Sequence, residues 1–102
     1  MPDVRNPYGS SIQSGRQTVT TGGTAVALQS AVQIVHQVDI TAETDNTGII
    51  VVGSSGVVAS LATRKGVPLN AGDTYTMFDV DLSQVYLDTT VNTDGVTWTA
   101  VV

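Results

Sequence analysis

The sequence predicts an all-β fold, a small antiparallel β-sandwich or jelly-roll-like barrel with an extended N-terminal arm. Short segments rich in Val, Ile and Thr alternate with turns of Gly, Asn and Asp over residues 17–102. No segment predicts a helix long enough to cover a parallel sheet, so we expect sheet to pack on sheet.

Length and composition limit the function classes. The 102 residues are enough for one core, and with 41% hydrophobic and 13% charged residues the chain is too apolar to be disordered. The absence of cysteine excludes disulfides and thiolate chemistry and suits synthesis in a reducing cytoplasm. A net charge of -5 argues against a nucleic-acid partner. The apolar runs are too short to span a bilayer, and the N-terminus has no apolar signal segment, so we expect no membrane partner.

Residues 1–16 are predicted to form the arm, and residues 17–102 the β domain. The first 16 residues combine two prolines, two glycines and three serines with isolated apolar side chains and no periodicity. Val4, Tyr8 and Ile12 are the side chains we expect to anchor this arm on a neighbouring subunit or partner.

The first predicted strands are residues 24–28 and 36–42, although a short helix over residues 28–35 is an alternative. Val38, Ile40 and Ala42 fall on one face of the second strand, and His36 is in phase with them. The next segment, residues 49–52, is apolar on both faces and predicts a central buried strand.

The C-terminal half is predicted to contain a brief return strand, a loop and three further strands. Pro68 cannot donate to a strand ladder, so residues 64–69 are assigned to the loop. Trp98 shares a face with Val96 and Ala100 and is expected in the core. The return strand covers residues 57–60, and the later strands cover residues 74–78, 84–89 and 96–102.

Few residues carry chemistry. His36 is the single histidine, and without a second histidine or any cysteine it completes neither a catalytic nor a metal site. No serine lies in a Gly-x-Ser-x-Gly elbow. We therefore predict a protein that is not an enzyme and needs no cofactor.

Two charged pairs remain as candidate sites. Asp79 and Asp81 are expected on one face of a strand, where they would hold calcium or form a solvated strand edge that resists aggregation. Arg64 and Lys65 form the one basic cluster of the domain and are predicted to lie on a loop. That loop would contact an acidic partner or simply be solvated.

Three motifs in the last two thirds of the chain resemble small virion structural proteins of tailed bacteriophages. They are Asn46-Thr47-Gly48 followed by Val52-Gly53, Pro68-Leu69-Asn70-Ala71-Gly72-Asp73, and Asp81-Leu82-Ser83-Gln84-Val85-Tyr86-Leu87. The resemblance implies a non-catalytic β module that decorates the outside of a phage head and stabilises it. The implied location is the virion, on the capsid surface.

The same resemblance implies binding partners. These are the major capsid protein or another virion protein, together with copies of the chain itself as a homo-oligomer, with a trimer favoured. The alternative is a tail fibre, baseplate or head-fibre module that recognises a host-surface ligand. Sugar recognition would need exposed aromatic platforms, for which the candidates are Tyr75, Phe78, Tyr86 and Trp98.

Overall fold

The computed structural model describes residues 11–102, which form eight β-strands and two three-residue 3-10 helices. The 3-10 helices cover Leu61–Thr63 and Leu82–Gln84, and no helix among the described residues is long and apolar enough to cross a membrane. The strands are β1 (Ile12–Thr18), β2 (Val26–Ala27), β3 (Ile34–Ala42), β4 (Ile50–Gly53), β5 (Val67–Leu69), β6 (Thr74–Asp81), β7 (Tyr86–Thr89) and β8 (Gly95–Val101).

The strands form two four-stranded antiparallel sheets. The first has the order β1-β8-β3-β6 and the second the order β2-β7-β4-β5. The pairs β1 with β8, β2 with β7, β3 with β6 and β4 with β5 are those of one long hairpin rolled onto itself. This is the strand order of a jelly roll, so the predicted fold class is confirmed.

The main core lies between the two sheets. Val38, Ile40 and Ala42 on β3 are fully buried, as predicted, and Ile50 and Val52 on β4 face them from the second sheet. Because inward side chains alternate with outward ones along each strand, both sheets present an apolar inner face. Trp98 is also buried in this core, which confirms its predicted position.

A smaller core covers the outer face of the second sheet. Val51 points away from the main core and packs against Val57 and Ala59 of the β4–β5 loop. This loop folds back over the sheet and is closed by a two-bond bridge between the backbones of Val58 and Lys65. Residues 49–52 are therefore apolar on both faces because β4 is covered on both.

Three sequence-based expectations are corrected. Residues 12–16, assigned to the arm, belong to β1 and pair with β8. Residues 67–69, assigned to a loop because of Pro68, form β5, which tolerates proline because it is an edge strand with one free side. The alternative helix over residues 28–35 is absent, since residues 34 and 35 already belong to β3.

His36 does not lie on the buried face predicted for it. Val35 and Val38 are both buried, so the inward set of β3 advances by three residues instead of two at this point and leaves His36 exposed. Opposite this position on β6, Asp79 has a φ of 53°, and its inward set also skips from Met77 to Val80. The alternation of inward and outward side chains shifts by one residue at the same level in β3 and β6. The two strands therefore stay in register, and the side chain of His36 faces solvent.

Candidate functional site

The structure places the sequence-predicted contact residues on different faces. Ile12 lies on the outer face of the first sheet, where its side chain is exposed. Arg64 and Lys65 lie on the β4–β5 loop, which covers the outer face of the second sheet. These residues therefore do not form one surface. Val4 and Tyr8 lie outside the described residues.

Arg64 and Lys65 have different environments. The Nε of Arg64 donates to the carbonyl oxygen of Ala59 at 2.9 Å, so this guanidinium helps to close the loop. Lys65 uses its backbone for the bridge to Val58, and its side chain is exposed. Of the pair, Lys65 is the cation that is open to a partner.

Asp79 and Asp81 do not form a paired carboxylate site. Asp79 is exposed at the kink in β6, whereas Asp81 caps the second 3-10 helix. Oδ1 of Asp81 accepts hydrogen bonds from the backbone N–H of Ser83 at 2.9 Å, the hydroxyl of Ser83 at 2.8 Å and the N–H of Gln33 at 3.1 Å. The backbone donors Ser83 and Gln33 lower the pKa of the Asp81 carboxyl below its ordinary value.

One end of the first sheet carries a group of exposed apolar side chains, which we call the apolar end. Its members are 64% to 75% exposed and lie where β1 and β3 begin and β6 ends: Ile12, Val32, Ile34 and Phe78. Ile12 and Phe78 stand in one row across the sheet, joined through the partners Val101 and Gln37. Because directly opposed residues point to the same face, this row spans roughly 14 Å on the outer surface.

An apolar depression adjoins this end. It has a volume of about 360 Å³ and is lined chiefly by Met77, Val80 and Val85, with Gly53 among the other lining residues. Met77 and Val80 belong to the inward set of β6, whereas Phe78 points outward, so the depression opens on the other side of this edge strand. It is a second apolar surface near the same end of the sheet.

The opposite end of the first sheet is tightly hydrogen-bonded. Asp94 is buried between two loops, where its carboxylate accepts from the N–H groups of Thr47 at 3.2 Å and Gly48 at 2.8 Å. The side chain of Asn46 both donates to and accepts from the backbone of Gly95. The predicted turn at Asp94 and Gly95 is therefore structural.

A second depression, of about 400 Å³, adjoins the buried carboxylate of Asp88. Asp88 is 2% exposed, and its two oxygens accept from the N–H groups of Gly23 and Ala59, each at 2.8 Å. These bonds tie the β1–β2 and β4–β5 loops to β7. Since each oxygen already has a backbone donor, this carboxylate stabilises the fold.

The sequence analysis named Ile12 as an arm anchor and Phe78 as a candidate platform for sugar, but it did not group them with Val32 and Ile34 in one surface. The exposure of Phe78 could have been predicted. Thr74, Thr76 and Phe78 are alternate residues of β6 and so share one face, which places this aromatic residue on a polar face. The exposure of Ile34 could not have been predicted, because the alternation of buried and exposed residues in β3 shifts at His36. Alternation alone would have assigned Ile34 to the core.

The described residues present candidate contact surfaces. Within residues 11–102 no three His, Asp or Glu side chains come together to hold a metal ion. Among the four aromatic side chains of this part of the chain, Phe78 alone is exposed. No protein-family model, curated protein or solved structure matches the chain.

Proposed function

We propose that this protein is a non-enzymatic virion structural protein that decorates the outside of a phage head and stabilises the shell. The observation that carries the proposal is the apolar end, where four large apolar side chains are exposed. Apolar side chains exposed together favour a binding surface. The opposite end of the domain then faces solvent, and residues 1–10 precede Ile12 in the chain.

A decoration protein stabilises a shell because it binds only the assembled state. Anything with that preference shifts the equilibrium between free and assembled capsid protein toward assembly. If the chain forms a trimer, as the resemblance implies, three apolar ends act together and weak single contacts give durable attachment. Burial of an exposed Phe or Ile side chain contributes roughly 1.5–3 kcal/mol, which is enough to set the affinity of each contact.

Co-sedimentation with empty capsids tests the proposal. Purified protein is mixed with capsids that lack it and that are built from the major capsid protein of the same genome, and bound copies are counted by mass. We expect saturation at a number set by icosahedral symmetry. Ile34→Ser and Phe78→Ser should each weaken binding by about tenfold or more, since an exposed apolar anchor is removed.

Leu61→Ser is the matched control. Leu61 is 80% exposed but lies on the β4–β5 loop, away from the apolar end. This variant should bind as the unmodified protein does. If it loses binding while the Ile34 and Phe78 variants retain it, the contact surface is the wrong one. If the unmodified protein does not sediment with capsids, the decoration role is wrong and the tail or baseplate alternative gains support.

A further inference from the structure

Strand β1 contributes no apolar side chain to the core. Its inward-facing positions, opposite the buried residues of β8, are Gln13, Gly15 and Gln17. Its one large apolar side chain, Ile12, points outward and is 70% exposed. Because burial of apolar side chains supplies most of the free energy that fixes a strand in a sheet, β1 is held mainly by its backbone ladder to β8.

Three polar side-chain contacts supplement this ladder, one of which joins the exposed hydroxyls of Ser14 and Thr99 at 3.4 Å. The Nε2 of Gln17 donates to the carbonyl oxygen of Ala27 at 2.7 Å, which ties β1 to the second sheet. Arg16 forms an ion pair with Glu43 at 2.9 Å, in which the side chain of Arg16 is 65% exposed and that of Glu43 is 13% exposed. Because solvent surrounds the guanidinium and screens the pair, it adds only modestly to stability. The attachment of β1 is therefore weak for a seven-residue strand.

The place that β1 occupies also carries an energetic penalty. The indole of Trp98 lies directly beneath Gly15, where any side chain would collide with the ring. Its Nε1 is buried and has no hydrogen-bond acceptor among the described residues. A buried N–H without an acceptor is unfavourable, and departure of β1 would let water reach it. Departure of β1 would also expose the indole that Gly15 covers, so hydration of Nε1 offsets only part of the cost of detachment.

We propose that β1 is an exchangeable strand, and that the edge of β8 binds the β1 strand of a second copy of this chain. The occupant is fixed by the structure, since the same seven residues already pair with β8 and place Gly15 over Trp98. The strand swings out about Thr18, because Val19 is fully buried and stays with the core. Residues 1–10 precede β1 and travel with it. This inference does not depend on the proposed role in a particle.

Cysteine cross-linking between two single variants tests the exchange. Ser14 and Thr99 are exposed and directly opposed on β1 and β8, with their hydroxyl oxygens 3.4 Å apart. The chain has no cysteine, so Ser14→Cys and Thr99→Cys introduce the only thiols. When the two proteins are mixed and oxidised, we expect disulfide-linked dimers that join one copy of each. Their yield should rise with protein concentration.

The control mixture pairs Ser14→Cys with Thr74→Cys. Thr74 lies on the outer face of β6, two strands beyond β8, where an exchanged β1 does not reach. We expect the Ser14–Thr99 mixture to give severalfold more mixed dimer than this control. Equal yields would mean that contacts between copies are random, and the exchange would be refuted.

A double variant with both cysteines in one chain makes a negative result decisive. Closure of an intrachain disulfide in this variant, at high dilution, shows that the geometry accepts the bond. If the double variant closes and the mixture of single variants yields no more than the control, β1 stays with its own chain. If the double variant does not close, β1 is not seated on β8 as described, and the inference fails on that ground.

Discussion

The carboxylate of Asp88 is the most informative position at which to perturb this fold. It is 2% exposed and accepts one backbone N–H on each oxygen, from Gly23 and Ala59, both at 2.8 Å. In Asp88→Asn one oxygen is kept, while the new amide N–H₂ group faces a backbone N–H that then has no acceptor. A hydrogen bond to a charged group contributes about 1.5–3 kcal/mol, and a buried donor without a partner costs about 1–3 kcal/mol.

We therefore expect Asp88→Asn to lower the free energy of unfolding by about 2–4 kcal/mol, or the Tm by about 10–25 °C for a domain of this size. Urea unfolding followed by the fluorescence of Trp98, the single tryptophan, measures the change. Asp45→Asn is the control, because Asp45 is exposed and should tolerate the change. A loss under about 0.5 kcal/mol for Asp88→Asn would refute the reasoning, since it would mean that the cost of burying the charge cancels its two bonds.

Two further predictions concern the backbone of the β4–β5 loop and the response to acid. Gly66 has a φ of 122°, and a Cβ there would lie 2.6 Å from both Cγ1 of Val51 and the carbonyl oxygen of Val52. Gly66→Ala should therefore lower stability in urea by about 2–4 kcal/mol, whereas Gly56→Ala, with open space around it, should change little. The hydrogen bonds from Ser83 and Gln33 lower the pKa of Asp81 in the folded state, so its stabilisation is complete above the unfolded pKa and is lost as the pH falls below about 4. Asp81→Asn should make stability fall less steeply in that range, and an unchanged slope would contradict the assignment.

The sequence predicted correctly the strands whose side chains show a clear hydrophobic pattern. Residues 49–52 are apolar at every position, and β4 is covered by the main core on one side and by Val57 and Ala59 on the other. Strand β3 alternates cleanly from Val38 onward, and its inward residues are all fully buried. In both strands, burial follows from side-chain chemistry alone.

The elements that the sequence missed depend on the backbone or on a neighbouring strand. β1 has no apolar alternation, because backbone pairing with β8 holds it and Trp98 supplies the packing beneath Gly15. β5 contains Pro68, and only its edge position in the sheet makes that acceptable. The exposure of His36 accompanies the kink at Asp79 on β6, the neighbouring strand of the same sheet. No local sequence pattern around His36 reveals that kink.

The proposed particle contact and the proposed strand exchange share one residue, Ile12, and can be tested separately at other positions. Ile12 belongs both to β1 and to the apolar end, so an exchanged strand brings the Ile12 of one copy to the apolar end of another. The exchanged and unexchanged forms then present the same apolar surface, since the incoming strand is identical in sequence. Ile34 and Phe78 lie on β3 and β6 and take no part in the pairing of β1 with β8. Substitutions there act on particle binding alone, whereas the thiols at positions 14 and 99 report on exchange alone, so either proposal can fail while the other stands.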